Sequence, residues 1–588
     1  MARWGAGSLA PAADICVVSP PPTDLETPAE TAPIFRAAVE PAPSAPIAVA
    51  SRAFGDDFPP LRDQWRVRLA GLLLLGTMLL YVPWMFSSLN EQLPWIAWPF
   101  AATNVFSLVY AFLAVGNAWS RRVPARRPVP PGDEPHVGVI IPTCGEAVPM
   151  ILRTVVSVLE QDWPGDRLTV VVSDDGRDGR LAEALCGLPV LYHLPPDRYA
   201  PGRDGAAKAG NLNSALAMLD RERPDLGYVE TRDADDEVGS NRFLREAVGQ
   251  LAADERLAFV QTIKETQVSA GDPFNNRESM FYRGQMLARN ATNAAFPCGS
   301  GVVWRRTALD EIGGFPTWNL VEDLQSGVEA LRRGWRGLYL PIVGAVGQHS
   351  PEDVPNVYKQ RGTWAIDTVR LIVWGDLRGL NRRQRLHFAE MLFFYLNAFT
   401  TLVYIPSVAC ALLGLMPLTA GTTGYVMHML PLVLATEVWL LVLNHPFHDR
   451  RRKQRQPVRA LWRQRIMVTG LAPVYMKAAL QAIVSGPDRK PVYVVTRKED
   501  DLRWHWRQTM PQAAVIFLIP TVAVYALVNG ALPSVWLLAG TLYWGGLNIV
   551  LLAGFVSRGW HGVARARRAA GRQMSQAAQG AQQVEGVA

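Results

Sequence analysis

The stretch from Tyr228 to Asp236, Tyr-Val-Glu-Thr-Arg-Asp-Ala-Asp-Asp, sets two carboxylates, Asp233 and Asp235, one residue apart on the loop after a short apolar run. Carboxylates at i and i+2 on such a loop reach one hard divalent cation together, and a cation with open positions binds a diphosphate. That is the chemistry of a nucleotide-sugar site. Asp-x-Asp also occurs in solvated loops that hold nothing, so the neighbouring motifs decide. Lys208-Ala-Gly-Asn-Leu-Asn213 joins a cation to a tight backbone position and two amides, suited to phosphate and sugar, and Phe296-Pro-Cys-Gly-Ser-Gly301 is a small-residue loop that a ligand can approach closely. Val321-Glu322-Asp323 opens a helical pattern over Leu324 to Leu331, and Gln360-Arg-Gly-Thr-Trp364 lies ahead of the next apolar run. Each has a plainer reading: Asp323 as a helix N-cap, Lys208 as a surface charge, Trp364 as a membrane-interface anchor. Their succession along one segment argues for a site.

The elements that must position them are legible as strand, loop, helix. Val137 to Pro142 is a short apolar run, followed by Thr143-Cys-Gly-Glu146 and an amphipathic stretch from Met150 to Leu159. Leu168 to Ser173 runs into Asp174-Asp175-Gly176, and Tyr228 to Thr231 runs into Asp233. Strands alternating with helices predict a mostly parallel sheet whose ligands lie outside the carboxyl ends of the strands, so the three acidic loops converge on one crevice.

At 588 residues, half of them hydrophobic and 19 of them Trp, the chain is too apolar for an ordinary soluble enzyme. Apolar runs near the ~20 residues needed to cross a bilayer lie at Leu69 to Phe86, Trp95 to Trp119, Glu390 to Leu415, Tyr425 to Leu443, Ala513 to Asn529 and Val535 to Val556. The loops Ser87 to Gln92, Met416 to Gly424 and Gly530 to Ser534 carry no Lys or Arg, whereas Arg121, Arg122, Arg126, Arg127, Arg450 to Lys453 and Arg565 to Arg568 flank the opposite ends. The positive-inside bias then puts the insert between the second and third runs, and both termini, in the cytoplasm. It also assigns the net charge of +7 to topology and lipid headgroups, with no nucleic-acid partner. Five scattered cysteines give neither a disulfide framework nor a zinc site. The Pro- and Ala-rich first 60 residues have too little apolar surface to order themselves and lack a signal-peptide pattern.

In these motifs the chain resembles the processive membrane glycosyltransferases of family 2, the cellulose synthase-like group. Asp174-Asp175-Gly176 is similar to the uridine-contacting aspartate motif, Asp233-Ala-Asp235 to the metal-binding Asp-x-Asp, and Val321-Glu-Asp323 to the Thr-Glu-Asp that ends in the catalytic base. Gln360-Arg-Gly-Thr-Trp364 is similar to Gln-x-x-Arg-Trp, and Tyr493-Val-Val-Thr-Arg-Lys498 to the Phe-x-Val-Thr-x-Lys gating loop. The resemblance implies an α/β GT-A-type, Rossmann-like cytoplasmic domain between about six transmembrane helices. It implies Asp323 as base with Asp233 and Asp235 on Mg²⁺ or Mn²⁺. Thr143, Glu146, Asp174, Asp175, Lys208, Arg361, Thr496 and Lys498 would meet the UDP-sugar, and Gln360, Trp364, Glu322 and Cys298 the acceptor. The partners implied are a UDP-sugar, a growing polysaccharide, the inner-membrane bilayer and an envelope export subunit.

Expected domains are a disordered tail (1–60), two spans (61–120), the catalytic domain (136–364), an interfacial helix (365–385), two spans (386–443), a cytoplasmic loop with the gating-like segment (444–510), two spans (511–557) and a tail (558–588). The pattern is departed from at Thr363, where the family has Arg, at Val321 and Tyr493, in two leading spans rather than four, and in a tail after residue 557 with no room for a cyclic di-GMP-binding barrel. Three readings stay open: a processive β-glycan synthase, a transferase that loads one sugar onto a lipid carrier, and a non-catalytic relative.

Overall fold

The computed structural model describes residues 64–198, 200–201, 203, 205, 207–444, 457–490, 501, 503–530 and 535–564. The tail over 1–60, the segment Tyr493 to Lys498 with its Thr496, and the last residues from 565 lie outside them.

Two apolar helices lead, α1 (Gln64–Ser87) and α2 (Pro94–Ala118). The insert then runs β1 (Val137–Thr143), α3 (Val148–Leu159), β2 (Leu168–Asp174), α4 (Gly179–Leu185), β3 (Val190–His193), α5 (Ala207–Glu222), β4 (Tyr228–Thr231), β5 (Asp236–Val238), α6 (Phe243–Ala253), β6 (Leu257–Thr266), α7 (Met286–Thr292), β7 (Val302–Arg305), α8 (Arg306–Ile312), α9 (Glu322–Arg332), β8 (Arg336–Gly347) and α10 (Val354–Trp374). Its strands form one eight-stranded sheet in the order β3-β2-β1-β4-β7-β6-β8-β5.

Strands β1 to β4 are mutually parallel where they pair, as are β6 and β8, but β7 runs against both β4 and β6, and β5 against β8. The sheet is therefore mixed, where the sequence predicts a mostly parallel one. The reversal serves the site. Val302, the first residue of β7, lies opposite Thr231, the last of β4, so the loop Phe296 to Gly301 enters at the carboxyl end of β4, beside Asp233.

Side chains alternate across the sheet. Val137, Val139, Ile141, Val170 and Val172 pack with Ile151, Val155 and Phe243 on the layer that holds α3 and α6. Ile140, Val171 and Val229 pack with Leu212, Leu219 and Leu309 on the layer that holds α5 and α8. Each such side chain fully removed from water contributes about 1.5–3 kcal/mol, so two buried faces make the sheet a rigid support for its loops.

Six more helices follow: α11 (Arg382–Leu396), α12 (Ala398–Leu412), α13 (Thr422–Asn444), α14 (Pro457–Ser485), α15 (Met510–Val528) and α16 (Val535–Val556). Asn381 starts α11 with a capping box, its side chain accepting from Gln384 N while Gln384 accepts from Asn381 N. Helices long and apolar enough to cross a bilayer are Gln64–Ser87, Pro94–Ala118, Arg382–Leu412, Thr423–Leu443, Val458–Ser485 and Met510–Val528 among the described residues. This is a multi-pass membrane protein.

Two of these findings go past the sequence reading. Residues 457–485, read as part of a loop, form a single 29-residue helix. Half of its apolar window is buried inside the protein, against 17–39% for the other five, so protein covers much of the surface that lipid would otherwise cover. The loops after α1 and α12, both without Lys or Arg, also meet, since Asn90 N donates to Pro417 O (3.0 Å) and Thr419 N to Ser88 O (2.8 Å). Both loops lie at one end of the helical bundle.

Candidate active site

The turn that carries Asp233 and Asp235 is held from below. Arg232, fully buried, pairs with Glu230 and donates to the carbonyls of Asp236, Glu237 and Gly344 (3.3, 3.1 and 3.0 Å). Thr154 Oγ1 of α3 donates to Ala234 O (2.9 Å), and Asp233 N donates to Ser300 Oγ (3.2 Å). Thus β4, β8, α3 and the Phe296–Gly301 loop all fix the position of the two carboxylates.

Two lysines meet on Asp233. Lys208 Nζ lies 2.6 Å from Oδ1 and Lys264 Nζ 2.7 Å from Oδ2; Lys264 also reaches Asp236 Oδ2 at 2.7 Å, and Lys208 reaches Glu322 Oε1 at 3.0 Å. Burial would raise the Asp233 carboxyl, but the two ammonium groups hold it well below the usual carboxylate range. Asp236 goes the other way, pushed up by burial and by Asp233 and Asp235, with Lys264 opposing.

Asp323 sits on the same cluster. The helix α9 begins after Val321, so Asp323 is the second helical residue rather than the N-cap, in the first turn where a carboxylate is favoured by the helix dipole. Its Oδ1 accepts from Leu324 N (2.6 Å). A Cβ at Gly299 would stand 3.2 Å from Asp323 Oδ2 and 3.4 Å from Lys208 Nζ, and Gly299 has φ +82°, so this close approach and this backbone both favour glycine. Burial and the neighbouring Glu322 push the Asp323 carboxyl up to about 7, with Lys208 opposing. Cys298 lies on the same loop, its N–H donating to Gln261 Oε1 (2.7 Å), and burial beside Asp323 raises its thiol.

The loops after β1 and β2 are also assembled, with a division of labour. Asp174, buried at the end of β2, accepts from Thr143 Oγ1 (3.0 Å), Gly176 N (2.8 Å), Asp178 N (2.8 Å) and Tyr192 OH (2.9 Å). Its oxygens are occupied in shaping the loop. Asp175 instead is gripped by Arg203 through two bonds (2.6 and 2.8 Å), with Arg198 at 3.4 Å. Asn211 donates to Ser173 O (2.9 Å) and Thr143 O (3.4 Å), which docks α5 on the ends of β1 and β2, and a Cβ on Gly210 would collide with Gly205 O of the preceding loop at 1.6 Å. Glu146 accepts from Cys144 N (2.6 Å) in the loop after β1.

The Gln360–Trp364 motif is not a loop. It lies inside α10, which starts at Val354 and ends at Trp374, rather than running over 365–385. Arg361 is in a separate network, paired with Glu278, donating to Asn275 O (3.4 Å) and lying 4.6 Å from the Trp364 ring centre. Thr363 spends its hydroxyl on Lys359 O of its own helix (2.8 Å), so it supplies no substitute for a guanidinium there. Gln360 is half-buried on the same helix.

Lys264 is the site residue that the motifs miss. It is the lone cation in β6, whose first half is apolar and whose second half mixes Gln, Thr and Glu, so little in the sequence marks it. Arg232, between the apolar lead and Asp233, is the second, and Asp367 on α10 is a third: its Oδ1 accepts from Leu320 N (3.0 Å) and Val321 N (2.9 Å) just ahead of α9.

The insert is thus a GT-A-like mixed α/β domain whose loops gather carboxylates and lysines at the strands' carboxyl ends. Residues 135–366 match the family model described as glycosyltransferase like family 2, and they form a family 2 glycosyltransferase domain. The chain is homologous over much of its length to bacterial cellulose synthase catalytic subunits. It is 30% identical to the UDP-forming subunit of Pseudomonas fluorescens over 58% of this chain and 47% of that protein. It is 29% identical to the cellulose synthase 1 catalytic subunit of Komagataeibacter xylinus (56% and 44%) and 32% identical to the subunit of Xanthomonas axonopodis pv. citri (46% and 38%). The chain spans less than half the length of these relatives. Among solved structures it is similar to the mannosyltransferase PcManGT of Pyrobaculum calidifontis, in complex with GDP-Man and Mn2+, with 20% identity, a TM-score of 0.43, and coverage of 66% of this chain and 99% of that one.

Proposed function

We propose that the protein is an inverting, processive glycosyltransferase that moves a sugar, glucose before others, from a UDP-sugar onto a growing β-glycan and passes the product into the membrane. The observation that carries this reading is Asp323, a carboxyl whose proton affinity is set near neutrality, on a glycine-lined loop against Lys208 and Asp233. A base with a pKa near the working pH is best able to take the proton of an acceptor hydroxyl. Direct displacement with one base inverts the anomeric centre, so an α-linked donor gives a β-linked product.

Asp233 and Asp235 suit a hard cation, since Mg²⁺ commonly takes one or two protein carboxylates and completes its shell with water and substrate phosphate. When bound, such an ion neutralises charge growing on the departing diphosphate. Lys208 and Lys264 add two fixed cations at the same point, which a low-dielectric site makes effective. Asp175 is held by Arg203 at 2.6 Å, and in this reading donor binding exchanges that ion pair for a contact with the nucleoside.

The membrane part gives the product a route. From Trp364 a run of rings leads through Arg361 to Tyr475, Tyr395 (5.2 Å from Tyr475) and Phe394 (6.0 Å from Tyr475). Phe394 lines a cavity of about 210 Å³ between the spans and the catalytic domain, with Tyr110, Asn117, Asn397, Trp439 and Gln464. Rings with amides are the lining that a sugar chain's apolar faces and hydroxyls require. In this reading α1, α2, the α11–α12 pair, α13, α15 and α16 cross the inner membrane, α14 lies along the cytoplasmic domain, and both termini are cytoplasmic.

The test uses purified protein in nanodiscs with UDP-[³H]glucose and Mg²⁺, beside Asp323→Asn. A polymer that needs Asp323 and is cut by a β-1,4-glucanase supports a cellulose-type product; cleavage by another β-glucanase keeps the mechanism and changes the linkage. Label transferred only to lipid overturns processivity, and an active Asp323→Asn overturns the assignment of the base.

A further inference from the structure

We infer that Asp367 is a positioning residue for the reaction, through which α10 sets the base against the acceptor. The inference rests on the reading of Asp323 as base and of Trp364 as the acceptor's platform.

Asp367 is 3% exposed and forms no salt bridge among the described residues, although Arg370 and Lys490 lie within its electrostatic reach; its Oδ1 is spent on two successive backbone N–H groups, Leu320 (3.0 Å) and Val321 (2.9 Å). Its backbone carbonyl also accepts from Asn319 Nδ2 (3.0 Å). Burying a carboxylate is costly unless hydrogen bonds offset it, and burial does push this one well above the usual range, so a structural need for an acceptor at this spot is the reason to keep it. What it fixes is the entry to α9. Val321 is the N-cap position and Asp323 stands two residues later, so two bonds on Leu320 and Val321 determine where the base points. One turn further along α10, Arg370 completes the grip: it donates to Trp318 O (2.7 Å) and Pro487 O (2.7 Å), and lies 3.9 Å from the Trp318 ring centre.

Trp364 and Asp367 are three residues apart, hence neighbours on one face of a rigid helix. An acceptor sugar resting on Trp364 and a base held through Asp367 are then registered by the same element. Loss of that registration harms transfer to a sugar hydroxyl, whose place is fixed by Trp364, more than attack by water, which can follow a displaced base.

The test compares wild type, Asp367→Ala, Asp367→Asn and Asp323→Asn in nanodiscs, measuring labelled polymer, free labelled glucose and UDP from UDP-[³H]glucose, with UDP-binding sites counted by calorimetry. Asp367→Ala is expected to lower polymer formed per UDP-binding site at least tenfold. The ratio of free glucose to polymer should rise at least fivefold, with the donor KM within twofold of wild type. Asp367→Asn, which keeps one acceptor oxygen, should restore the rate to within about threefold. The ratio does not depend on the fraction of protein folded, so a purely structural role would leave it unchanged. An unchanged ratio in Asp367→Ala beside an inactive Asp323→Asn overturns the positioning role alone. An Asp323→Asn that still makes polymer removes the reading on which it rests.

Discussion

Asp323 keeps its proton to about pH 7, and the consequences for rate and for stability have opposite signs. As a base it works only when ionised, so kcat is expected to fall about tenfold per pH unit below about 7, which a pH profile of UDP release checks. For stability the folded carboxyl binds a proton that the unfolded one, with an ordinary value near 4, has already lost. Stability therefore falls as pH rises through the window from about 4 to about 7 and changes no further above it. Asp323→Asn is expected to abolish turnover while melting at a temperature equal to or above wild type at pH 8. Lys264 has the reverse character. Lys264→Met leaves half-buried Asp233 and buried Asp236 with one cation fewer, an expected loss of about 1–3 kcal/mol together with activity, read by thermal unfolding beside turnover. Asp174 and Asp233 were legible in the sequence because each follows an apolar run. Lys264 was not, since one lysine in a strand ordinarily marks a solvent-facing position, and only its place opposite Ala345 of β8, against Asp233 and Asp236, brings it to the site.

At the scale of elements, the antiparallel strand β7 and the long helix α10 do what the motifs cannot state about themselves. The alternation of strands and helices announces an α/β sheet, but the direction of β7 depends on its pairing with β4 and β6, which neighbouring residues do not encode. That direction delivers Gly299 to the base. Gly299→Ala places a methyl group 3.2 Å from Asp323 Oδ2 on a backbone at φ +82°, so a kcat loss of tenfold or more is expected with a stability cost of about 1 kcal/mol, separable by comparing turnover with thermal unfolding. The sequence places a helix only after Trp364, over 365–385, whereas α10 begins at Val354 and ends at Trp374. Gly362 faces Val474 of α14, where a Cβ would stand 3.4 Å from Val474 Cγ1, an ordinary contact.

Across the whole molecule, hydropathy gave most of the membrane segments, and the contact between the loops after α1 and α12 puts those two at one end. It did not give α14, whose Arg459, Arg463, Arg465 and Lys477 dilute its apolar character and whose burial comes from tertiary contacts. If α14 lies along the cytoplasmic domain, a single cysteine at Thr419 in a background with the natural cysteines replaced is labelled by an impermeant maleimide from outside intact cells, whereas one at Gly486 is not. Labelling at both positions would make α14 a span. The order of the sheet also has a consequence for synthesis. Strand β4, which leads to Asp233, has β1 on one side as soon as it is made, but its other neighbour, β7, comes roughly 70 residues later, and Asp367 roughly 130 later. At about 5–20 residues per second the nascent chain waits several seconds with the edge of β4 open, tethered by α1 and α2 close to the bilayer. The brevity of that edge, four residues from Tyr228 to Thr231, limits what another chain can pair with during the wait.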